Sequence, residues 1–139
     1  MTISEIQQEI IEEFEMFEDW TDRYEHIIEL GKSLPLIKEE EKNDDLLIKG
    51  CQSRVWLKAD HQEGKIILTA DSDAIITKGI IAILVRVFSN QTPKDIISSN
   101  MDFIDQVGLK DHLSPTRANG LVSMMKQIKM YAIAYQAHN

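Results

Sequence analysis

The chain has 139 residues, of which 43% are hydrophobic, and its 15 basic and 23 acidic side chains give a net charge of −8. This length fits a single domain, residues 1–139, and the hydrophobic content suffices for a core, which excludes a wholly disordered protein. The excess of acid argues against nucleic-acid binding, because affinity for phosphates depends largely on lysine and arginine.

Cys51 is the only cysteine, so an intramolecular disulfide is excluded, and a zinc site or iron–sulfur cluster would have only one thiolate ligand from this chain. No basic segment precedes an apolar run at the N-terminus, and the longest apolar block, residues 79–85, is far shorter than the roughly 20 residues that span a bilayer. We therefore expect a protein of the reducing cytoplasm, without a membrane segment, whose lone thiol stays free.

Two amphipathic helices are predicted near the N-terminus. Isoleucine and phenylalanine recur at helical spacing over residues 3–17, and a capping box at Thr2 or at Ser4 would begin this helix. Asp19 is the expected cap of the second helix, and Gly31 is its expected end.

Three antiparallel strands are predicted after a solvated acidic linker at residues 38–45. They cover residues 46–48, 53–58 and 65–70, with a turn at residues 60–64 between the last two. The short connections favour a meander.

A buried helix is predicted over residues 74–88, which are nearly all apolar, with Ser72 or Asp73 as its cap. Prolines at position 93 and at the start of residues 115–137 indicate the first turns of two further helices. The predicted fold class is α+β, with helices packed on one small three-stranded antiparallel sheet.

Charge is unevenly distributed along the chain. The first 30 residues hold ten acidic side chains and one basic, whereas residues 110–139 hold four basic and one acidic. Either the terminal helices lie near each other and solvate opposite faces, or an acidic face docks a basic partner.

Cys51 follows Gly50 in a turn between two predicted strands. A thiol at a turn can be presented to another protein, but free cysteine is also among the most buried residue types, so both interpretations stay open.

A hydrolase pair of Cys51 with His112, and a metal site that adds Asp73, are weaker hypotheses, because histidines scattered along a chain are usually structural or exposed. The four are His26, His61, His112 and His138.

Five segments together resemble the SufE family of sulfur-acceptor proteins. They are YEHIIELG at residues 24–31, GCQSRVW at 50–56, DSDA at 71–74, KGIIA at 78–82 and HLSPTRANGL at 112–121. Each segment alone is a weak signal, but the five occur in order over nearly the whole chain. The resemblance implies a SufE/IscU-like α+β fold, similar to that of iron–sulfur scaffold proteins.

The resemblance also implies a partner-dependent sulfur relay. A PLP-dependent cysteine desulfurase of SufS or CsdA type would load sulfur onto Cys51, and this chain would stimulate the desulfurase and deliver the sulfur to a SufBCD-type scaffold complex. PLP belongs to the partner, so no cofactor is expected here, and the protein would be a carrier and activator rather than a stand-alone enzyme. Because the family includes paralogues such as CsdE, partner preference stays open.

Four further motif positions are expected to dock the partner or orient the loop around the thiol. Arg117 matches the family's arginine, and a cation at a helix start opposes the helix dipole, so it should pair with a carboxylate or contact the partner. Ser72 and Asp73 should set the resting loop, and Gln52 should position it by side-chain hydrogen bonds. The loop is expected to rest the thiol against apolar side chains and to swing out in the complex.

Three alternatives to the relay remain. The protein could be a desulfurase-binding adaptor that feeds another sulfur pathway, or a thiol-based redox protein, which would need a strongly lowered Cys51 pKa. A cluster-holding scaffold would require two chains to pair, because each supplies one cysteine.

Overall fold

The computed structural model describes residues 1–137. Within them the chain is α+β, as predicted, with seven α-helices and two β-strands. In chain order these are α1 Ile3–Glu15, α2 Trp20–Gly31, β1 Val55–Gln62, β2 Lys65–Ser72, α3 Ile75–Phe88, α4 Pro93–Ser98, α5 Phe103–Val107, α6 Leu109–His112 and α7 Pro115–Ala137. None of these helices is both long enough and apolar enough to cross a membrane.

Local capping signals correctly predict where the first helices begin. Thr2 and Glu5 form the capping box of α1, with each side chain accepting a hydrogen bond from the other residue's backbone N–H. Asp19 caps α2 by accepting from the backbone N–H of Asp22 at 2.9 Å. Pro93 occupies the first turn of α4, as expected for a residue with no N–H to donate.

Helices α2 and α3 cross at unusually short range through two glycines. A Cβ on Gly79 of α3 would lie 2.1 Å from the carbonyl oxygen of Ile27, and one on Gly31 would lie 3.1 Å from the backbone nitrogen of Gly79. Gly31 is the last residue of α2, as predicted. The C-cap residue that follows it, Lys32, has right-handed α-helical backbone angles, not left-handed ones. The need for glycine at position 31 therefore comes from packing rather than from a left-handed cap.

The sheet is a single antiparallel hairpin, with β1 and β2 in register from Val55 opposite Ser72 to Gln62 opposite Lys65. Its turn is shorter than the predicted one and consists of Glu63 and Gly64, with φ of 52° and 79°. Two successive positive φ angles give the turn a twist that matches the twist of the strands.

The predicted third strand at residues 46–48 is wrong. Leu46 ends a short 3₁₀ turn, and Leu47 forms only an isolated bridge to Trp56. The following turn, with Gly50 at φ 90°, leaves too few extended residues for a strand.

The outer edge of β1 is covered by α7 instead. The hydroxyls of Tyr131 and Tyr135 donate to the carbonyls of Leu57 and Ala59, both at 2.8 Å. These are the groups that a third strand would have used, so two side chains satisfy an edge that would otherwise be open.

The centre of the molecule is α3, which contacts α1, α2, α7 and β2 and buries most of its length. Its Arg86 binds Glu9 and Glu13 of α1, and Glu13 also contacts His26 at 3.1 Å. The hydrogen bond from Arg86 is the main reason that the pKa of Glu13 is lowered. Part of the N-terminal acidic charge is therefore neutralised within the fold, and α3 contacts both terminal helices.

Candidate functional site

The loop that carries the cysteine, residues 49–54, lies against α7. Gly50 is its second residue and has φ 90°, and a Cβ at this position would lie 2.7 Å from the Oγ of Ser123. A left-handed backbone and a close approach to α7 therefore both require glycine immediately before the thiol.

Cys51 is half-buried, between the two extremes that its sequence context left open. Its Sγ lies 3.7 Å from the carbonyl oxygen of Gly120, to which the thiol donates a weak hydrogen bond. The glycine leaves room for the sulfur, because a Cβ there would lie 3.3 Å from Sγ. Burial raises the pKa of the Cys51 thiol, so the resting group is protonated at neutral pH.

Gln52 is held by the first turn of α7. The hydroxyl of Thr116 donates to Oε1 of Gln52 at 2.9 Å, and it also lies 3.3 Å from the hydroxyl of Ser114. The loop-orienting role expected of Gln52 remains a prediction, and this hydrogen bond is the contact through which it would act.

The loop therefore rests on three residues of α7, Thr116, Gly120 and Ser123, whose spacing puts them on one face of the helix. The sequence analysis assigns no role to these residues, although Thr116 and Gly120 lie in the segment HLSPTRANGL at residues 112–121. The available signal was the spacing of three small residues at positions 116, 120 and 123, which repeats along one face of a helix.

The other end of the loop is fixed at Arg54 by Ser72 and Asp73. The backbone N–H of Arg54 donates to Oδ1 of Asp73 at 3.1 Å, and its carbonyl accepts from the Ser72 hydroxyl at 2.7 Å and from the Asp73 N–H at 3.3 Å. The prediction that Ser72 or Asp73 caps α3 is wrong. The N-cap residue is Ala74, and no side chain of residues 1–137 caps the helix by a hydrogen bond.

The junction between β2 and α3 is itself anchored by a buried carboxylate. Asp71 contacts Lys42 at 2.7 Å and Lys78 at 3.4 Å, and it accepts from the backbone N–H of Ser72 at 2.8 Å. Burial works to raise the pKa of Asp71, but these three partners outweigh it and the pKa is lowered. The ionised carboxylate ties the acidic linker to the segment that holds Arg54.

Arg117 lies on the rim of the cleft that holds Cys51, and its side chain is exposed. Among residues 1–137 no carboxylate forms an ion pair with it. Of the two expectations for this cation, the intramolecular pair is absent from the described residues, and contact with a partner remains a prediction.

The cleft around the thiol is narrow, with a volume of about 10 Å³, the room that a single water occupies. It is formed by the loop, the start of α7 and one face of α3. The lining residues are Cys51, Gln52, Ser53, Thr77, Ile80, Thr116, Arg117, Gly120 and Met124.

The structure does not bring His112 to the thiol cleft. Its ring stacks on Trp20 with centroids 3.8 Å apart and bonds to the carbonyl of Gly108 at 3.1 Å. In the described part of the chain no three His, Cys, Asp or Glu side chains gather to hold a metal, and His138 lies outside that part. The hydrolase and metal hypotheses therefore have no geometric support.

Fold and site together define a class: a small α+β protein that presents one half-buried thiol in a loop packed on its last helix. The sequence matches the SufE family model, described as an Fe-S metabolism associated domain, over residues 8–132. The chain belongs to the SufE family, and membership indicates a role in iron–sulfur metabolism.

Two relatives agree with this assignment, and a solved structure has a similar fold. An uncharacterized SufE-like protein of Synechocystis sp. is 38% identical over 127 residues, covering 91% of this chain and 80% of its own length. Another, from Rhizobium meliloti, is 37% identical over 129 residues, covering 89% and 92%. The fold is similar to the solution structure of a hypothetical protein from Thermus thermophilus, with a TM-score of 0.79, 17% identity and coverage of 95% and 96%.

Proposed function

We propose that the protein is a sulfur acceptor that takes persulfide sulfur from a PLP-dependent cysteine desulfurase onto Cys51 and delivers it for iron–sulfur cluster assembly. The observation that carries the proposal is Cys51 itself. In a chain of the SufE family it is the only cysteine, and it lies in a loop that is lightly held on the face of α7.

The transfer step is a thiol exchange that needs no outside oxidant or reductant. The Cys51 thiolate attacks the terminal sulfur of the partner's persulfide, a sulfur–sulfur bond forms at Cys51, and the partner's cysteine leaves as a thiolate. One sulfur moves, the terminal proton moves with it, and the desulfurase is unloaded for its next turnover. This unloading is the physical basis for stimulation of the partner.

A single thiol suits this carrier role. A second cysteine nearby could attack the loaded persulfide, form a disulfide and release the sulfur as sulfide. Because Cys51 is the only cysteine of the sequence, sulfur cannot be lost by this intramolecular reaction.

The resting site protects the thiol and disfavours its reaction with a partner cysteine. The cleft beside the half-buried thiol leaves room for about one water molecule, and burial raises the Cys51 pKa, which keeps the thiolate fraction low. Transfer is therefore favoured when the loop leaves the cleft as the partner docks, which exposes the thiol and relieves the burial that raises its pKa.

The four other site residues have distinct proposed roles in this movement. Ser72 and Asp73 hold Arg54 and act as the fixed end about which the loop moves. Gln52 orients the resting loop through Thr116. Arg117, exposed on the cleft rim, contacts the docked partner.

The partners that fit this chemistry are a desulfurase of SufS or CsdA type and a scaffold complex of SufBCD type. The desulfurase supplies PLP, so the acceptor step asks for no cofactor on this chain. A redox-sensing function is disfavoured, because it needs a lowered thiol pKa and burial raises that of Cys51.

Desulfurase turnover tests the proposal. We expect the wild-type protein to raise alanine release from cysteine several-fold with a cognate desulfurase, Cys51→Ser to give no stimulation, and Arg117→Met to weaken it. Lys94→Met, which removes an exposed cation on α4, is the matched control and should stimulate like wild type. Equal stimulation by Cys51→Ser and wild type would contradict sulfur acceptance and favour the adaptor alternative.

A further inference from the structure

The contacts that hold the cysteine loop are unequal along its length. Arg54 is fixed by three hydrogen bonds to its backbone: its N–H donates to Asp73, and its carbonyl accepts from the Ser72 hydroxyl and the Asp73 N–H. Among the described residues, the side chains of residues 49–53 make only two hydrogen bonds, the weak one from Cys51 and the one that Gln52 accepts from Thr116. The second is the stronger, because sulfur is a weak hydrogen-bond donor.

We propose that Thr116 is a positioning residue for Cys51, resting on the sulfur-acceptor function above: its hydroxyl, by binding Gln52, sets the balance between the protected and the open loop. Gln52 is the neighbour of Cys51, so the loop cannot carry the thiol out of its seat at Gly120 without breaking this bond. No hydrogen bond in the described part of the chain joins Thr116 to the sulfur, and Thr116 acts through Gln52.

The surroundings of Thr116 suit a bond that must form and break. Its hydroxyl lies 3.3 Å from that of Ser114 and is exposed, so after release it can donate to Ser114 or to water. No buried polar group is left unpaired when the loop opens, which keeps the cost of opening small. The stronger anchors at Arg54 stay in place.

The inference is tested on the isolated full-length protein by the rate at which iodoacetamide alkylates Cys51. Loss of one such hydrogen bond should raise the open population, and with it the alkylation rate, roughly two- to tenfold. We expect this increase for Thr116→Val and for Gln52→Met, whereas Thr116→Ser, which keeps the hydroxyl, should react like wild type. Thr21→Val, at an exposed position on α2, is the matched control.

The double variant Thr116→Val with Gln52→Met separates this bond from a general loosening of the loop. If the two residues act through one hydrogen bond, the double variant should react no faster than either single one. Multiplied rate increases, or a Thr116→Val rate equal to that of wild type or of Thr116→Ser, would overturn the proposal. Thermal midpoints confirm folding, and if Thr116→Val does not fold, Gln52→Met and Thr116→Ser still decide.

The assay contains no desulfurase, so its outcome is independent of the proposed function. A failure of the Thr116 variants leaves sulfur transfer to Cys51 standing. A failure of sulfur transfer leaves the alkylation rates, and the positioning they report, unchanged.

Discussion

If Cys51 carries sulfur as we propose, two requirements compete there, since a loaded sulfur must be kept from solvent and yet be offered to another protein. The structure shows the unloaded thiol, which is half-buried and bonded to the carbonyl oxygen of Gly120. Offering the sulfur to another protein needs a loop whose central contacts break easily. The exposed hydrogen bond between Gln52 and Thr116 is a contact of this kind.

The acidity of the thiol follows from this seat. Because burial raises the pKa of Cys51, we expect the alkylation rate of the native protein to rise with pH to a midpoint above the value of about 8.5 for free cysteine. The same protein in urea should show the ordinary midpoint. A native midpoint below that of the urea-unfolded protein would contradict this account and revive the redox alternative.

The raised pKa of Cys51 also sets how the stability of the fold depends on pH. A group with a raised pKa in the folded state stabilises the fold fully below its unfolded pKa, and this contribution is lost as the pH rises through the folded value. The Cys51 contribution should therefore disappear only on the alkaline side.

Motif content predicts some of these residues and local rules misassign others. Cys51 stands out as the only cysteine and as a thiol in a turn, and the resemblance to a family adds Gln52 and Arg117. Ser72 and Asp73 were singled out by the same route, but the capping rule also fits their side chains, and it does not foresee a bond to a residue 18 or 19 positions earlier.

At the scale of elements, signals that act within one turn predict structure well. The capping box at Thr2, the cap at Asp19 and the proline at position 93 need only neighbouring residues. The third strand failed because its pairing edge is filled from α7, which no local pattern reveals. Helices α5 and α6, of five and four residues, are too short to show periodicity and were not predicted.

The crossing of α2 and α3 yields a sharp prediction. Gly79→Ala would place a Cβ 2.1 Å from the backbone oxygen of Ile27, so the helices must separate, and we expect a loss of about 1–3 kcal/mol or more in urea unfolding. Gly64→Ala is the control, because its positive φ strains the new residue but nothing lies within 4 Å. It should cost about 1–2 kcal/mol. Unchanged stability of Gly79→Ala would show that the helices do not meet as described.

Across the whole molecule, the acidic and reactive regions occupy different elements. No residue of the acidic α1 lines the Cys51 cleft, which is built from the loop, α3 and α7. Arg86 of α3 forms ion pairs with two carboxylates of α1, so part of the N-terminal acidic charge is neutralised within the fold. The cation on the rim of the site is Arg117, without an ion-pair partner in residues 1–137.

The most direct test of the central claim is the intact mass of the protein after incubation with a desulfurase and free cysteine. Acceptance of sulfur at Cys51 predicts a gain of about 32 Da that a reductant removes and that Cys51→Ser does not acquire. An active desulfurase of SufS type and another of CsdA type, both leaving the wild-type mass unchanged, would contradict sulfur acceptance.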